Sequence, residues 1–105
     1  MPVERLDGPK ALAMLRECLR DGSVKQSWHF KQQLANETII FTDVEFVLKS
    51  GAICDAPEQE IKSGEWKYRV EGPCADRQWI AVIFCFKRID EALLITVFSV
   101  DKFRR

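Results

Sequence analysis

Two long apolar runs near the carboxyl end constrain the fold of this chain more than any other feature. Residues 79–86 are all apolar, residues 92–100 are apolar except at Thr96 and Ser99, and a short polar stretch separates the two runs. Because strand side chains alternate between two faces, each run is apolar on both faces. Such strands lie at the centre of a sheet that is covered on both sides. We therefore expect two adjacent central strands joined by a tight antiparallel turn.

The length and charge of the chain limit its domain count and its partners. With 105 residues and 47% hydrophobic content, residues 1–105 are predicted to form a single domain with its own core. The 16 basic residues are balanced by 16 acidic residues. This balance disfavours extended nonspecific nucleic-acid binding, which depends on many uncompensated cations. A small cationic cleft stays compatible with a net charge of zero.

The cysteines and the single histidine argue against a metal site. Cys18, Cys54, Cys74 and Cys85 form no C-x-x-C pair, and one histidine cannot complete a Cys/His zinc finger. No metal or cofactor is expected, although a cysteine-based metal or redox site assembled from scattered positions is an alternative.

The amino end lacks a signal-peptide apolar region, and no apolar stretch approaches the ~20 residues of a membrane helix. A cytoplasmic protein with reduced thiols is predicted.

Capping residues and periodicity predict an α+β fold. Asp7 or Gly8 and Ser27 are good helix caps, and Thr42 with Glu45 forms a capping-box sequence. The predicted helices span about 9–21, 28–35 and 43–50, and the predicted strands span about 52–61, 65–72, 78–87 and 92–100. We expect three amino-terminal helices packed on a four-stranded antiparallel sheet. The helices can cover one face of the sheet, and a partner protein or a second copy of the chain would cover the other.

Four polar side chains are candidates for chemistry on a phosphodiester. In the stretch Glu65–Val70, Lys67 and Arg69 fall on the same strand face. Arg69 suits a phosphate because its planar fork bonds two oxygens, and Lys67 is a second cation. His29 is the only imidazole and can serve as a general base or acid near neutral pH. Together they could cleave RNA by 2′-hydroxyl attack without a metal, and Thr96 could hydrogen-bond the scissile region from a central strand.

The order and spacing of several short motifs resemble the DUF4258 domain from about residue 10 to residue 100. The motifs are Ser27-x-His29-Phe30, Asp43-Val44-x-x-Val47-Leu48-x-x-Gly51, Gly64-Glu65-Trp66-Lys67-Tyr68-Arg69-Val70 and Leu94-Ile95-Thr96-Val97-Phe98. Families of this kind resemble the RelE-like and MqsR-like toxins, whose helices-then-sheet fold supports metal-independent RNA cleavage. The resemblance implies an mRNA-interferase-like ribonuclease of a toxin–antitoxin system, held by a cognate antitoxin of the MqsA zinc-finger type. It departs at one place: Gln33 stands where many members have an arginine four residues after the histidine.

A structural role for the same residues is a competing hypothesis. A lone histidine at a helix start is often a packed or capping residue. Lys67 and Arg69 could simply pair with Glu60, Glu65 or Glu71 across strands. Thr96 is a good strand former, which is reason enough for its presence. Gln33 and the zero net charge therefore favour an alternative function, namely a non-catalytic protein-interaction module that has the fold without the chemistry.

Overall fold

A computed structural model describes residues 2–74 and 78–100 and shows an α+β fold, as predicted. In chain order the elements are α1 (Gly8–Asp21), β1 (Val24–Gln26), α2 (Trp28–Asn36), α3 (Phe41–Ser50), β2 (Glu58–Gln59), β3 (Trp66–Pro73), β4 (Trp79–Arg88) and β5 (Glu91–Ser99). The three helices, the two long apolar strands and the alternating strand before them lie close to their predicted bounds. None of the described helices combines the length and the apolar character needed to cross a bilayer.

The sheet has five strands in the order β1-β5-β4-β3-β2 and is mixed, not four-stranded and antiparallel. β1 pairs in parallel with β5, and the other three pairings are antiparallel. The prediction missed β1 because its three residues, Val24–Gln26, show no periodicity of their own. The strand exists because β5 offers an edge, which is a long-range pairing that local sequence does not encode.

The predicted strand over residues 52–61 is largely wrong. Only Glu58–Gln59 forms a strand within it, pairing with β3, and Ala52 makes a single bridge to Glu71. Pro57 has no N–H to donate to a ladder, so it interrupts pairing between these two points. The segment therefore follows the edge of β3 without forming a full strand.

Local sequence sets two of the three helix starts as expected. Asp7 accepts a hydrogen bond of 2.8 Å from the backbone N–H of Lys10, and Ser27 caps α2 in the same way. The predicted capping box of α3 is wrong, because the helix begins at Phe41 with Ile40 as its cap and without a side-chain cap bond. Starting earlier places Thr42 inside the first turn, where its hydroxyl is no longer at the capping position.

The helices pack on one face of the sheet and form the core there. This inner face carries a set of apolar residues that are all buried, namely Tyr68, Val70, Ile80, Val82, Phe84, Phe86, Ala92, Leu94 and Val97. The opposite face is called the outer face below, and by register it consists of Lys67, Arg69, Glu71, Ala81, Ile83, Cys85, Leu93, Thr96 and Phe98. Within residues 2–74 and 78–100, no helix covers this outer face.

The outer face is shielded by its own long side chains. Ala81 is fully buried and Cys85 is 2% exposed, although both lie on the side of β4 that carries no helix. Ala81 lies in register with Glu71 on one side and with Phe98 on the other, and the guanidinium of Arg69 lies over the Phe98 ring. Small residues on the central strand are thus covered by large residues from its two neighbours. The large side chains of the outer face therefore bury much of the apolar surface that the doubly apolar strands present there.

Candidate functional site

Arg69, Ile83 and Thr96 form one row across the outer face. Arg69 on β3 lies in register with Ile83 on β4, and Ile83 lies in register with Thr96 on β5. Paired residues point to the same face of a sheet, and the backbones of Arg69 and Thr96 are two strand spacings, or about 10 Å, apart. Lys67 is two residues before Arg69 on the same face. The fold therefore brings three of the four predicted site residues to one surface.

Thr96 reaches the outer face because β5 is irregular at Ile95. Phe84 pairs with Leu94, but the preceding residue of β4, Ile83, pairs with Thr96, so Ile95 is an extra residue on β5. Without it, Thr96 would share the inner face with Ala92 and Leu94 by simple alternation. An inserted residue of this kind re-aims the side chains that follow it. The bulge thus turns a polar side chain out of the core.

The hydroxyl of Ser27 anchors the start of α2 at this bulge. It donates a 3.1 Å hydrogen bond to the carbonyl of Ile95 and accepts a 3.0 Å bond from the backbone N–H of Phe30. The N–H of Ser27 also donates to the carbonyl of Leu94. One side chain therefore caps the helix and uses the carbonyl of the bulged residue. The far end of α2 is fixed as well, since Glu37 accepts a bond from the N–H of Ser99.

His29 lies in the first turn of α2, two residues after Ser27, and its side chain is exposed. It is neither the helix cap, which is Ser27, nor a packed core residue. Within residues 2–74 and 78–100 its imidazole makes no hydrogen bond or ion pair. His29 thus lies two residues from the serine that contacts the bulge, and no contact joins its side chain to Lys67, Arg69 or Thr96 among the described residues.

The guanidinium of Arg69 is held by a nearly buried carboxylate. Its Nε donates a 2.8 Å bond to Oε2 of Glu71, whose side chain is 8% exposed. The indole N–H of Trp79 donates to the other oxygen of Glu71. This is the one side-chain hydrogen bond that Arg69 makes among the described residues, and its terminal nitrogens are not buried from solvent. The Arg69–Glu71 pairing that the sequence offered as a structural alternative is confirmed.

Lys67 also has an acidic partner. Its ammonium lies 3.1 Å from Glu60, and both side chains are more than one-third exposed. The hydrogen bond from Lys67 and its positive charge lower the pKa of the Glu60 carboxyl from its ordinary value of 4.5. An exposed pair of this kind is weak and exchanges readily with water or another anion. Lys67 is thus neutralised in the free protein but accessible.

A shallow cleft of about 230 Å³ opens beside the two cations. Lys67, Arg69 and Ile83 form its floor from the sheet, while Asp55 and Glu58 come from the segment that follows the β3 edge. The sequence did not predict this acidic rim, because it interpreted that segment as a strand. The charges of the cleft are therefore mixed.

Within the ranges that the structure describes, no three His, Cys, Asp or Glu side chains are grouped to hold a metal ion.

One known protein family matches most of the chain. The family described as a domain of unknown function, DUF4258, matches residues 27–99, from the serine that anchors α2 to the last residue of β5. The chain belongs to the DUF4258 family. No curated protein and no solved structure matches it. The DUF4258 region contains His29, Lys67, Arg69 and Thr96, and it leaves α1 outside its bounds.

Proposed function

We propose that this DUF4258 protein is a metal-independent endoribonuclease. The observation that carries the proposal is the row of Arg69 and Thr96 on the outer face, with Lys67 beside it. The start of α2 is anchored at the same bulge through Ser27, and the exposed His29 of that helix is the titratable group that we assign to the reaction. A phosphate bound at Arg69 would lie over the β4 strand, between the two cations and β5. This arrangement supplies the positive charge and the titratable group that RNA cleavage requires.

The reaction follows from the chemistry of these groups. The His29 imidazole accepts the proton of a ribose 2′-hydroxyl, and the 2′-oxygen attacks the adjacent phosphorus. The bond from phosphorus to the 5′-oxygen breaks, leaving a 2′,3′-cyclic phosphate and a 5′-hydroxyl. The Lys67 ammonium or a water molecule protonates the departing oxygen. The Thr96 hydroxyl donates a hydrogen bond to a phosphate oxygen.

Arg69 is suited to the charge that develops in this step. Glu71 engages its Nε and fixes the plane of the guanidinium. The terminal nitrogens are then oriented before a ligand arrives, and a preorganised donor loses little entropy on binding. Lys67 exchanges Glu60 for phosphate, which an exposed ion pair permits at small cost. Lys67 and Arg69 thereby take on the phosphate neutralisation in a chain that has Gln33 at the family's arginine position.

Cleavage of RNA by the purified protein in the presence of a metal chelator tests the proposal. We expect His29→Ala and Arg69→Ala each to lower the cleavage rate about a hundredfold or more. Lys10→Ala is the matched control, because Lys10 is an exposed cation on α1 outside the DUF4258 region. Equal rates in the wild type and the His29 and Arg69 variants would remove the proposed roles.

The proposal extends to the biological setting that the resemblance implies. A growth-inhibiting toxin needs a partner that silences it, and a cognate antitoxin of the MqsA zinc-finger type is the partner we propose. Expression of the chain alone should arrest bacterial growth, and His29→Ala should relieve the arrest. Undiminished arrest by the His29→Ala variant would separate any toxicity from RNA cleavage.

A non-catalytic interaction module is a second candidate, favoured by the acidic partners of both cations. Glu60 neutralises Lys67, Glu71 neutralises Arg69, and Asp55 contributes further negative charge to the cleft. In this case the outer face binds a partner or a second copy of the chain. Light scattering of the wild type and of Phe98→Asp distinguishes the two. A wild-type dimer that Phe98→Asp dissociates, in a protein that cleaves no RNA, favours the module.

A further inference from the structure

Trp28 is a large aromatic residue that the fold leaves in solvent. It is the first residue of α2, and 74% of its surface is exposed, whereas Phe30 two positions later is fully buried in the core. Trp66 and Trp79 are both partly buried in the sheet. Exposing a whole indole forgoes the stabilisation that its burial would give. Trp28 therefore contributes little to the core.

The neighbours of Trp28 on its own helix are cationic and polar. Lys31 and Gln32, three and four residues further on, share its helix face and are exposed. Residues 22–36 contain no Asp or Glu, and this is the longest acid-free stretch in a chain whose charges otherwise balance. Lys31 makes no ion pair within the described ranges, whereas Lys25, the other lysine of this stretch, is paired with Glu91. This is the combination of a stacking surface and an uncompensated cation that single-stranded nucleic acids bind.

We infer that Trp28 is a stacking platform for an unpaired nucleobase, with Lys31 contacting the backbone of the same strand. Trp28 immediately precedes His29, so a base on the indole would place its adjoining phosphate beside the imidazole and close to the bulge of β5. The ligand class is therefore single-stranded nucleic acid, and RNA in particular follows from the proposed function. The link from the stacked base to a scissile phosphate rests on the proposed function, but the binding of the base does not.

A nucleobase fits this surface better than a protein does. The other large side chains that α2 exposes are His29, Lys31 and Gln32, which hydrogen-bond phosphates and base edges. A protein-binding aromatic is normally surrounded by contacts that exclude water from it. Around Trp28 the neighbours on its own helix are hydrated polar groups, and a stacked base tolerates these because its edges and backbone are polar as well.

Fluorescence titration with a 2′-O-methyl single-stranded oligonucleotide, which has no free 2′-hydroxyl to react, tests the inference. We expect quenching in the wild type that is absent in Trp28→Phe, which retains an aromatic face and binds within roughly threefold of the wild type. Trp28→Ala should weaken binding about tenfold. An oligonucleotide of abasic nucleotides and the duplex form should not quench the wild type. Ile61→Ala is the matched control, because Ile61 is 98% exposed and lies on the β2–β3 turn.

The outcomes test the base-stacking site and the nuclease activity independently of each other. Equal affinity of Trp28→Ala and the wild type, or equal quenching by the abasic strand, overturns the stacking role even if His29→Ala abolishes cleavage. Loss of affinity in Trp28→Ala without any cleavage by the wild type supports the base site and removes the nuclease. Trp28→Ala that leaves RNA binding intact but prevents capture of a copurified protein would assign Trp28 to a protein partner and contradict the inference.

Discussion

The guanidinium of Arg69 lies over the ring of Phe98, with its Cζ 5.2 Å from the ring centroid, although the two residues belong to strands on opposite sides of β4. The contact spans the central strand above Ala81, which is consequently buried without a helix on that side. Arg69 therefore has two tasks on the outer face. It covers apolar surface with its stem, and it presents its terminal nitrogens to solvent.

We expect Arg69→Ala to lower the free energy of unfolding by about 2 kcal/mol, because it removes the guanidinium from the nearly buried Glu71 carboxylate. Lys67→Ala removes a cation from an exposed pair and should cost clearly less. Urea unfolding of the two variants beside the wild type measures both. Equal losses would show that the burial of Glu71 has no energetic consequence.

A double variant isolates the ion pair. Arg69→Ala combined with Glu71→Gln removes both charges, so the double variant should lose less stability than the sum of the single variants, with a coupling of about 1 kcal/mol. Strict additivity would contradict a direct interaction between the two side chains. The same cycle applied to Lys67 and Glu60 should give a smaller coupling.

Ser27→Ala should destabilise the protein by about 1–2 kcal/mol, because one hydroxyl both caps α2 and bonds the carbonyl of Ile95. If the proposed function holds, Ser27→Ala should also slow RNA cleavage, since α2 would lose its attachment beside the bulge. Ser63→Ala, which alters an exposed turn serine, is the control. A Ser27→Ala protein as stable as the control variant would show that the cap and the bulge are held by other groups.

The Lys67–Glu60 pair should make stability depend on pH in the acid range. The hydrogen bond from Lys67 lowers the pKa of Glu60 in the folded protein, so its stabilisation is complete above the ordinary value of 4.5 and is lost as the pH falls through the lowered pKa. The wild type should therefore exceed Lys67→Met in stability by a constant amount above that pH, and the two curves should converge below it. A difference that persists unchanged into strong acid would contradict this sign.

Thiol labelling should distinguish one cysteine from the others. Cys54 is exposed, whereas Cys18, Cys74 and Cys85 are buried. Burial also raises the pKa of the Cys85 thiol, and the nearby Glu65 carboxylate adds to the rise. We expect an aromatic disulfide reagent to react quickly with Cys54 alone in the native protein, and with the remaining cysteines after unfolding in urea. Rapid native labelling that survives Cys54→Ser would show that at least one of the three buried cysteines is accessible to the reagent.

The strands were predictable wherever local alternation decides the burial of each side chain. In β3, alternation separates the buried Tyr68 and Val70 from the half-buried Lys67 and Arg69, and the sequence shows this without any knowledge of the partner strand. β1 was not predictable, because Val24–Gln26 become a strand through pairing with distant residues of β5. The capping-box sequence of α3 failed for a related reason: the helix starts earlier, at Phe41, which packs against the core.

The candidate site was predictable in its residue types and less so in its geometry. Alternation correctly placed Lys67 and Arg69 on one face. It could not show that Thr96 joins them, because simple alternation assigns Thr96 to the inner face until the bulge at Ile95 is included. The exposure of Trp28 was also hidden, since a short helix with one buried aromatic, Phe30, does not specify the direction of its neighbour. Register and helix orientation are long-range properties.

Mapping of the cleavage products tests the central claim most directly. With a metal chelator present, the wild type would be incubated with a single-stranded RNA and with the same RNA carrying a 2′-deoxyribose at the position of cleavage. The account predicts a 2′,3′-cyclic phosphate and a 5′-hydroxyl from the first RNA, an uncut deoxy substrate, and no cut of either by His29→Ala. Cleavage at the deoxy position, cleavage by His29→Ala at the wild-type rate, or intact RNA in every sample would contradict it.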